Sequence, residues 1–311
     1  MDEPARAAEG SRVSTAEPLT TAVQARAPDA QDRSERGQAR RERWRLLRRR
    51  PAFIFGVVVL VFWVVCAIGG ENISPYGAKQ TGLPSTQPPS RDYLFGTDTL
   101  GRDVFSRVIV GARDVLITAP LVALLCVSIG TMLGLTAGYL RGWVDDVISR
   151  IMEAILAIPV ILIGLVVLTN FGTSRYATVV TVAFIFTPIV FRTVRASTLA
   201  EAELDYVTSA RLRGENALFT MTREILPNIS GPIIVETTVR VGYAIFTIAT
   251  LQFLIGGADP ASPAWGTQVS QMYTYISGGT WWPTVFPALA LASLVIAVNL
   301  IADSFEAVYS S

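Results

Sequence analysis

The chain contains no histidine and one lysine among its 311 residues, and each shortage excludes a class of chemistry. Without an imidazole it lacks the usual side chain for acid–base catalysis and the commonest metal ligand. Its one lysine, Lys79, is followed by Gln80, whereas a phosphate-binding P-loop needs Gly-Lys-Ser/Thr with a lysine that reaches the β- and γ-phosphates. We therefore expect no catalytic site, no metal site and no ATPase site in this chain.

Cysteine and charged residues are also scarce. Cys66 and Cys126 both lie in apolar stretches, which favours small core residues over a disulfide or a metal pair. Charged residues make up 16% of the chain and hydrophobic residues 51%, whereas soluble domains carry roughly 25% charge. The composition indicates a protein built for lipid. The net charge of +1 gives no indication of nucleic-acid binding.

Long uncharged stretches indicate how often the chain crosses the bilayer. A spanning helix needs about 20 mostly apolar residues, because lipid cannot satisfy backbone N–H and C=O groups. The uncharged stretches are 51–70, 115–140, 154–174, 176–191, 241–258 and 260–302. The fourth is short and contains Pro188, so we expect its helix to borrow residues 192–194, and the sixth predicts a loop before a span near 284–302. We predict an all-α membrane protein with six spanning helices.

The distribution of arginine predicts the orientation of these spans. Twelve arginines lie in residues 1–50, two in 141–150 and five in 192–223, against six basic residues in the segments between the other span ends. Cytoplasmic segments carry an excess of Lys and Arg. The count therefore predicts cytoplasmic amino and carboxyl termini, although the five basic residues of the long outer loop are matched by five acidic ones.

The segments around the spans complete the predicted organisation. Residues 1–39 have little apolar surface to bury, so they are predicted to be a disordered cytoplasmic tail. Residues 40–50 place seven arginines around Trp44, Leu46 and Leu47. They predict either an amphipathic anchor on anionic lipid or a topology signal beside the first span. The remaining predicted segments are the first span 51–70, an outer loop 71–114, a five-helix core 115–303 and a short cytoplasmic tail 304–311.

A polar segment, 196–228, interrupts the core between the fourth and fifth spans. Its pattern predicts a helix, a break at Gly214 in the left-handed conformation, a second helix capped by Asn216, and Pro227 at the return to the membrane. We expect Ser197 or Thr198 to cap the first helix. The second helix carries an apolar stripe, which consists of Leu218, Phe219, Ile225 and Leu226.

This pattern favours a rigid projection on the inner face, which is what a membrane subunit needs if a soluble motor pushes it. The alternative is a connector that only covers the span ends. The charged outer segment around Gly96 predicts a turn that leads into an amphipathic surface helix.

Three motifs together resemble a known family. They are Gly96-Thr97-Asp98 with Leu100-Gly101-Arg102-Asp103, the turn Gly142-Trp143-Val144-Asp145, and the projecting segment. Over residues 51–303 the chain resembles permeases of the dipeptide, oligopeptide and nickel group of binding-protein-dependent ABC importers. The resemblance implies the type I importer permease fold, a bacterial plasma membrane location and a di- or oligopeptide substrate. Nickel, haem or another small solute is the alternative.

The resemblance also implies partners and coupling residues. The partners are a homologous second permease, two ATPase subunits or domains that bind ATP and Mg, a substrate-binding protein outside the membrane, and lipid. In the family's coupling pattern, Thr208 and Ser209 replace a Glu and an Ala, Ala210 is kept, and Glu224 stands where Ile is expected. The implied ATPase-coupling residues are Tyr206, Val207, Thr208, Ser209, Ala210, Arg211, Gly214, Leu226 and Pro227.

Two further sites are candidates. Glu236 and Arg240 are four residues apart near the start of the fifth span, where they can pair. They either line the inner mouth of a pathway or form a self-neutralised structural pair. The Pro263-Ala264-Trp265-Gly266 turn resembles a family motif, so Trp265 and Gly266 are an outer gate, a docking surface for the binding protein, or an aromatic interface anchor.

Two other classes of function remain as alternatives. An ion-coupled secondary transporter needs intramembrane acids for its coupling ion, and beyond Glu236 and the span-edge Glu153 the sequence offers almost none. A structural membrane scaffold is the third class.

Overall fold

The computed structural model describes Leu47 and residues 50–256 and 259–309. The chain divides into two units, residues 1–42 and 43–311, and the described residues belong to the second. The predicted tail 1–39 and most of the basic segment 40–50 lie outside the described residues, as do the last two residues. From the basic segment, Leu47 is buried in a small cluster with Phe53 and Ile301.

The described residues fold into helices joined by loops. Their bounds are α1 Pro51–Ile73, α2 Val104–Leu140, α3 Gly142–Leu156, α4 Val160–Phe171, α5 Arg175–Glu201, α6 Asp205–Leu212, α7 Ala217–Phe219, a π-helical turn Thr220–Ile225, α8 Leu226–Asn228, α9 Ser230–Ile255, α10 Trp265–Met272, a 3₁₀ helix Tyr273–Gly278 and α11 Trp282–Tyr309. The all-α prediction is confirmed.

Five of these helices are long and apolar enough to cross a membrane, namely α1, α2, α5, α9 and α11. A sixth crossing exists if α3 and α4, which meet at 82°, are counted as one broken span. The uncharged stretch 154–174 is therefore divided between two helices rather than forming one continuous helix. Pro159 has no N–H to donate and disfavours a helical conformation at Ile158, so the helix breaks there.

Helix α2 begins at Val104, well before the expected span start at residue 115. Asp103 caps it by accepting a hydrogen bond from the Ser106 N–H, and the helix continues through Pro120. Its 37 residues extend about 56 Å, longer than the roughly 30 Å hydrocarbon core. The first turns, which we expected in the outer loop 71–114 as a surface helix, are thus an extension of the span, and Val104 and Val108 are buried.

Other helix ends also extend beyond the uncharged stretches. Helix α5 continues through Pro188 and past 192–194 to Glu201, α9 begins at Ser230 rather than near residue 241, and α11 covers most of the predicted tail 304–311. Helical hydrogen bonding does not require apolar side chains, so these helices leave the lipid without ending.

Helix α2 packs most extensively against α5. A stripe of glycines on α2, Gly130, Gly134 and Gly138, faces Val190, Val194 and Thr198 of α5. A Cβ added at Gly134 lies 2.9 Å from the Val194 Cβ atom. Such close contact between helices is the usual role of small residues spaced four apart in membranes.

The segment between α1 and α2 is fixed by a buried arginine to α10 and to the loop that precedes it. Arg102 forms an ion pair with Asp98 at 2.5 Å. Its other nitrogens donate to the Pro260 carbonyl oxygen at 2.7 Å and to Gln271 Oε1 at 3.1 Å. The charged motif around Gly101 therefore holds this segment against α10 and the loop before it.

Candidate functional site

Helix α6 forms the projecting part of the segment 196–228. It begins at Asp205, after Leu204 in the N-cap position, which makes no side-chain cap. The prediction that Ser197 or Thr198 caps this helix is wrong. Both lie inside α5, where their hydroxyls donate to carbonyl oxygens of α5 itself. A short turn separates α5 from α6, and the capping pattern in the sequence did not reveal it.

The end of α6 matches the prediction. Gly214 has a φ of +74°, the left-handed conformation that glycine adopts most easily. The Gly214 N–H donates to the Arg211 carbonyl oxygen at 3.0 Å, and the Glu215 N–H donates to the Ala210 carbonyl oxygen at 3.2 Å. These two bonds form a Schellman motif. The predicted break at Gly214 is therefore a turn held by hydrogen bonds.

The return to the membrane is also ordered. Asn216 caps α7, as predicted, by accepting a hydrogen bond from the Leu218 N–H at 3.1 Å. The predicted apolar stripe is only partly buried, because Ile225 has no exposed surface whereas Leu218 is 63% exposed. Pro227 lies in the first turn of α8, which follows directly on the π-helical turn Thr220–Ile225.

Helix α6 has one buried and one exposed face. Val207 and Ala210 have no exposed surface, and Val207 belongs to the main core. Thr208, Ser209 and Leu212 are exposed, Leu212 by 85%. The helix is thus anchored through one face and leaves the other exposed.

Tyr206 joins the three parts of the segment. Its hydroxyl donates to Glu201 Oε1 at the end of α5 and accepts from Asn228 Nδ2 at 3.0 Å. Asn228 also donates to the Glu224 carbonyl oxygen at 2.9 Å. Burial, together with the hydrogen bond to Glu201, raises the pKa of Tyr206 to about 12. The phenol therefore stays neutral and able to donate at physiological pH.

Arg211 connects α6 to the last turn of α2. Its guanidinium carbon lies 4.5 Å from the centre of the Tyr139 ring, a cation–π contact. Next to it, Arg141 forms an ion pair with Glu203. Tyr139, Glu201 and Asn228 were not predicted as site residues, because only the fold brings them to α6.

Glu236 and Arg240 face each other near the start of α9, as the spacing predicted. Glu236 Oε1 and Arg240 Nε lie 2.8 Å apart, and both side chains are largely buried. The Arg240 guanidinium also lies 5.0 Å from the Tyr243 ring centre and 5.7 Å from that of Phe186. The charges are mutually compensated, and whether they line a pathway stays a prediction.

Trp265 occupies the opposite end of the bundle from α6. It has no exposed surface, and its Nε1 donates to the Val108 carbonyl oxygen at 2.8 Å. Neither a docking surface nor a lipid-interface anchor is compatible with this burial. Gly266 is equally enclosed, because an added Cβ lies 2.4 Å from the Ala249 carbonyl oxygen. A gate role for the pair stays a prediction.

The fold and the projecting segment define the class of protein: a multi-pass, all-helical membrane subunit with the type I permease architecture. Residues 130–310 match the family described as the binding-protein-dependent transport system inner membrane component. Residues 39–89 match the N-terminal transmembrane domain of oligopeptide transport permease C. The chain belongs to the binding-protein-dependent transport permease family, which confirms the resemblance.

Three relatives illustrate the similarity. A Brucella suis protein, whose name assigns it provisionally to a peptide transport system as permease, is 37% identical over 263 residues, 84% of this chain and 88% of its own length. The glutathione transport system permease protein GsiD of Pectobacterium atrosepticum is 36% identical over 269 residues, which are 86% of this chain and 89% of that protein. The dipeptide transport system permease protein DppC of Haemophilus influenzae is 33% identical over 272 residues, which are 85% of this chain and 92% of that protein.

Proposed function

We propose that this chain is the membrane permease subunit of an ATP-driven importer of short peptides, and that α6 receives the force of the ATPase. The names of its relatives support the substrate class, since they specify dipeptide, di/tripeptide and glutathione transport. The observation that carries the mechanism is α6 itself, buried along Val207 and Ala210 and exposed along Thr208 and Ser209.

In this proposal the α6 end of the bundle is cytoplasmic, and so are both termini. The arginine distribution of the sequence supports this orientation. A homologous second permease completes the pathway, two ATPase subunits or domains bind ATP and Mg, and a binding protein delivers the peptide outside. The chain itself binds no cofactor. Its partners hold the nucleotide.

The contacts of α6 provide a route for force. A displacement of α6 passes to α5 through Tyr206 and Glu201, to α9 through Asn228, and to α2 through Arg211 on Tyr139. Because packed helices have discrete arrangements, such a push favours a switch of the bundle between inward- and outward-facing states.

Crosslinking tests the docking role of α6. Ser209→Cys in the complete complex, treated with a cysteine-to-lysine crosslinker, is expected to capture an ATPase subunit. Ser85→Cys, also at an exposed position but in the segment between α1 and α2, is the matched control. Native Cys66 and Cys126 are buried and should react little. No capture at residue 209, or equal capture at residue 85, contradicts the docking role.

Reconstitution tests the proposed function as a whole. Proteoliposomes with both permeases, the ATPases and the binding protein are expected to take up Ala-Ala only with ATP. Uptake of nickel or haem in preference to Ala-Ala would support the alternative substrate classes. Transport by the isolated chain along an ion gradient would contradict the proposal, and the compensated pairing of Glu236 with Arg240 already argues against a free coupling acid.

A further inference from the structure

A polar cavity of about 270 Å³ lies at the end of the bundle opposite α6. It is formed by α2, α4, α5, α9, α10 and the loops next to them, and its lining includes Asp114, Thr118, Arg175, Gln252 and Asp259. Ligand pockets for drug-sized molecules span roughly 300–1,000 Å³. At about 270 Å³ this cavity lies just below that range, so the largest ligand that we expect it to enclose is a dipeptide or one terminus of a longer peptide.

The ion pair between the charged side chains of the cavity is long. Asp114 Oδ1 is 3.4 Å from Arg175 Nη2, longer than the roughly 2.7–2.9 Å of a charge-assisted hydrogen bond. The other oxygen, Oδ2, accepts from Gln252 Nε2 at 3.1 Å. Asp259 adds a second carboxylate, which accepts from the Ala261 N–H. Two carboxylates and one guanidinium make the lining suited to a group of positive charge.

Two further polar atoms at the cavity have no hydrogen-bond partner among the residues that the structure describes. Thr118 is 2% exposed, and its hydroxyl oxygen forms no hydrogen bond within the described part of the chain. Gln252 Oε1 is equally unpaired there. Buried polar groups are nearly always hydrogen-bonded, so unpaired ones need an explanation. Thr118 lies four residues after Asp114 on α2, which places both on one face of the helix.

We propose that this cavity binds the protonated amino terminus of a short peptide during its passage. An ammonium group has three N–H donors, and the cavity offers three acceptors for them: Asp114, the Thr118 hydroxyl and Gln252 Oε1. Arg175 then faces the peptide carboxylate. The inference rests on the proposed function, because it assigns a substrate contact to a peptide importer.

The position of the cavity fits a transport path. Thr118 and Tyr139 lie on the same helix, and at 1.5 Å per residue they are about 30 Å apart. Since Tyr139 contacts Arg211 of α6, the cavity and the coupling segment are separated by roughly the thickness of the hydrocarbon core. A peptide released outside meets this site first.

Equilibrium binding of radiolabelled Ala-Ala tests the site. The probe is added to the purified complex without the binding protein, with a non-hydrolysable ATP analogue present. Asp114→Asn is expected to weaken binding about tenfold, because a charge-assisted hydrogen bond is lost. Thr118→Val, which removes an unpaired hydroxyl without changing shape, is expected to weaken binding while thermal stability is kept.

Matched controls separate recognition from structure. Asp92→Asn makes the same change at an exposed outer position, and Thr131→Val removes another unpaired hydroxyl of α2 outside the cavity. Both are expected to bind Ala-Ala like the wild type, and N-acetyl-Ala-Ala is expected to compete poorly. The inference is overturned if the Asp114 and Thr118 variants bind Ala-Ala as tightly as the wild type does. It is also overturned if N-acetyl-Ala-Ala competes as well as Ala-Ala, or if the wild type shows no saturable binding.

ATP hydrolysis stimulated by the loaded binding protein is measured on the same complexes. If the wild type hydrolyses ATP and imports Ala-Ala but Asp114→Asn binds it normally, only the cavity site is refuted. If the assembled wild type neither hydrolyses ATP nor imports peptide, the proposed function itself fails.

Discussion

The hydroxyl of Tyr206 donates a 2.7 Å hydrogen bond to Glu201 Oε1, and this contact joins the first turn of α6 to the last turn of α5. The same hydroxyl accepts from Asn228, where the chain turns back to the membrane. A single phenol therefore links the start of α6 both to the end of α5 and to α8.

Tyr206→Phe is expected to uncouple transport from ATP hydrolysis. Removal of the hydroxyl breaks both hydrogen bonds but leaves the ring in place, so the loss of stability should be about 1 kcal/mol. The number of peptides imported per ATP should fall several-fold. Tyr275→Phe, in the exposed outer 3₁₀ helix, is the control and should leave both quantities unchanged. Unaltered coupling in Tyr206→Phe would show that the hydroxyl does not transmit force.

The same contact predicts a pH dependence. The folded state raises the pKa of Tyr206 to about 12 from an ordinary value of 10.0. The contribution of the Tyr206 hydroxyl to the free energy of unfolding is therefore fully present below about pH 10 and is lost as the pH rises through about 12. The difference in unfolding free energy between wild type and Tyr206→Phe should stay constant from about pH 7 to 9 and shrink above about pH 11. A difference that changes near neutrality would contradict this assignment.

Gly214→Val is expected to disrupt the end of α6. The left-handed conformation costs a side chain about 1–2 kcal/mol, and no other atom lies within 4 Å of an added Cβ, so the cost is conformational rather than steric. We expect weaker binding-protein-stimulated ATP hydrolysis. Gly231→Val is the control, because it also has open space but no positive φ. Similar losses in both variants would argue against a special role for the turn.

Gly134→Ala is expected to separate α2 from α5. The new methyl group would lie 2.9 Å from the Val194 Cβ atom and 3.0 Å from the Arg195 nitrogen. Overpacking of this kind costs about 1–3 kcal/mol. Gly69→Ala meets only the flexible Ile73 side chain of its own helix and should be nearly neutral. Thermal unfolding in detergent compares the two, and a neutral Gly134→Ala would show that the helices can move apart freely.

Glu236→Gln is expected to be more harmful than the double change Glu236→Gln/Arg240→Leu. The single variant leaves the buried Arg240 without its counter-charge, at a cost of about 3–5 kcal/mol. The double variant removes both charges, so its stability should return towards that of the wild type. If the pair is structural, the double variant also imports peptide normally. Reduced import by a stable double variant would instead place the pair on the pathway.

The spanning helices were predictable because lipid demands long apolar stretches, and Gly214 and Asn216 were predictable because their conformations are local. The start of α2 was not. Arg107 interrupts the apolar pattern, yet it is buried because its guanidinium donates to the carbonyl oxygens of Ala78 and Ser262. Contacts between residues so far apart in the chain cannot be deduced from a local pattern.

The candidate sites also divide into features that the local sequence predicts and features that only long-range contacts determine. Pro159 carried a usable signal for the broken span, whereas nothing near Trp265 in the sequence indicated that it would be enclosed against Val108. The cavity lining combines Asp114, Arg175 and Gln252, which come from three helices. Only the packing of those helices places them together.

Helix α2 is continuous from Val104 to Leu140, so a tilt of the helix moves both of its ends. Over the roughly 30 Å from Thr118 to Tyr139, a tilt of about 5° displaces one end by about 3 Å relative to the other. That displacement equals the length of a hydrogen bond. In the proposed peptide site, a rotation of this size beside Arg211 is thus enough to make or break a hydrogen bond between Asp114 and the peptide.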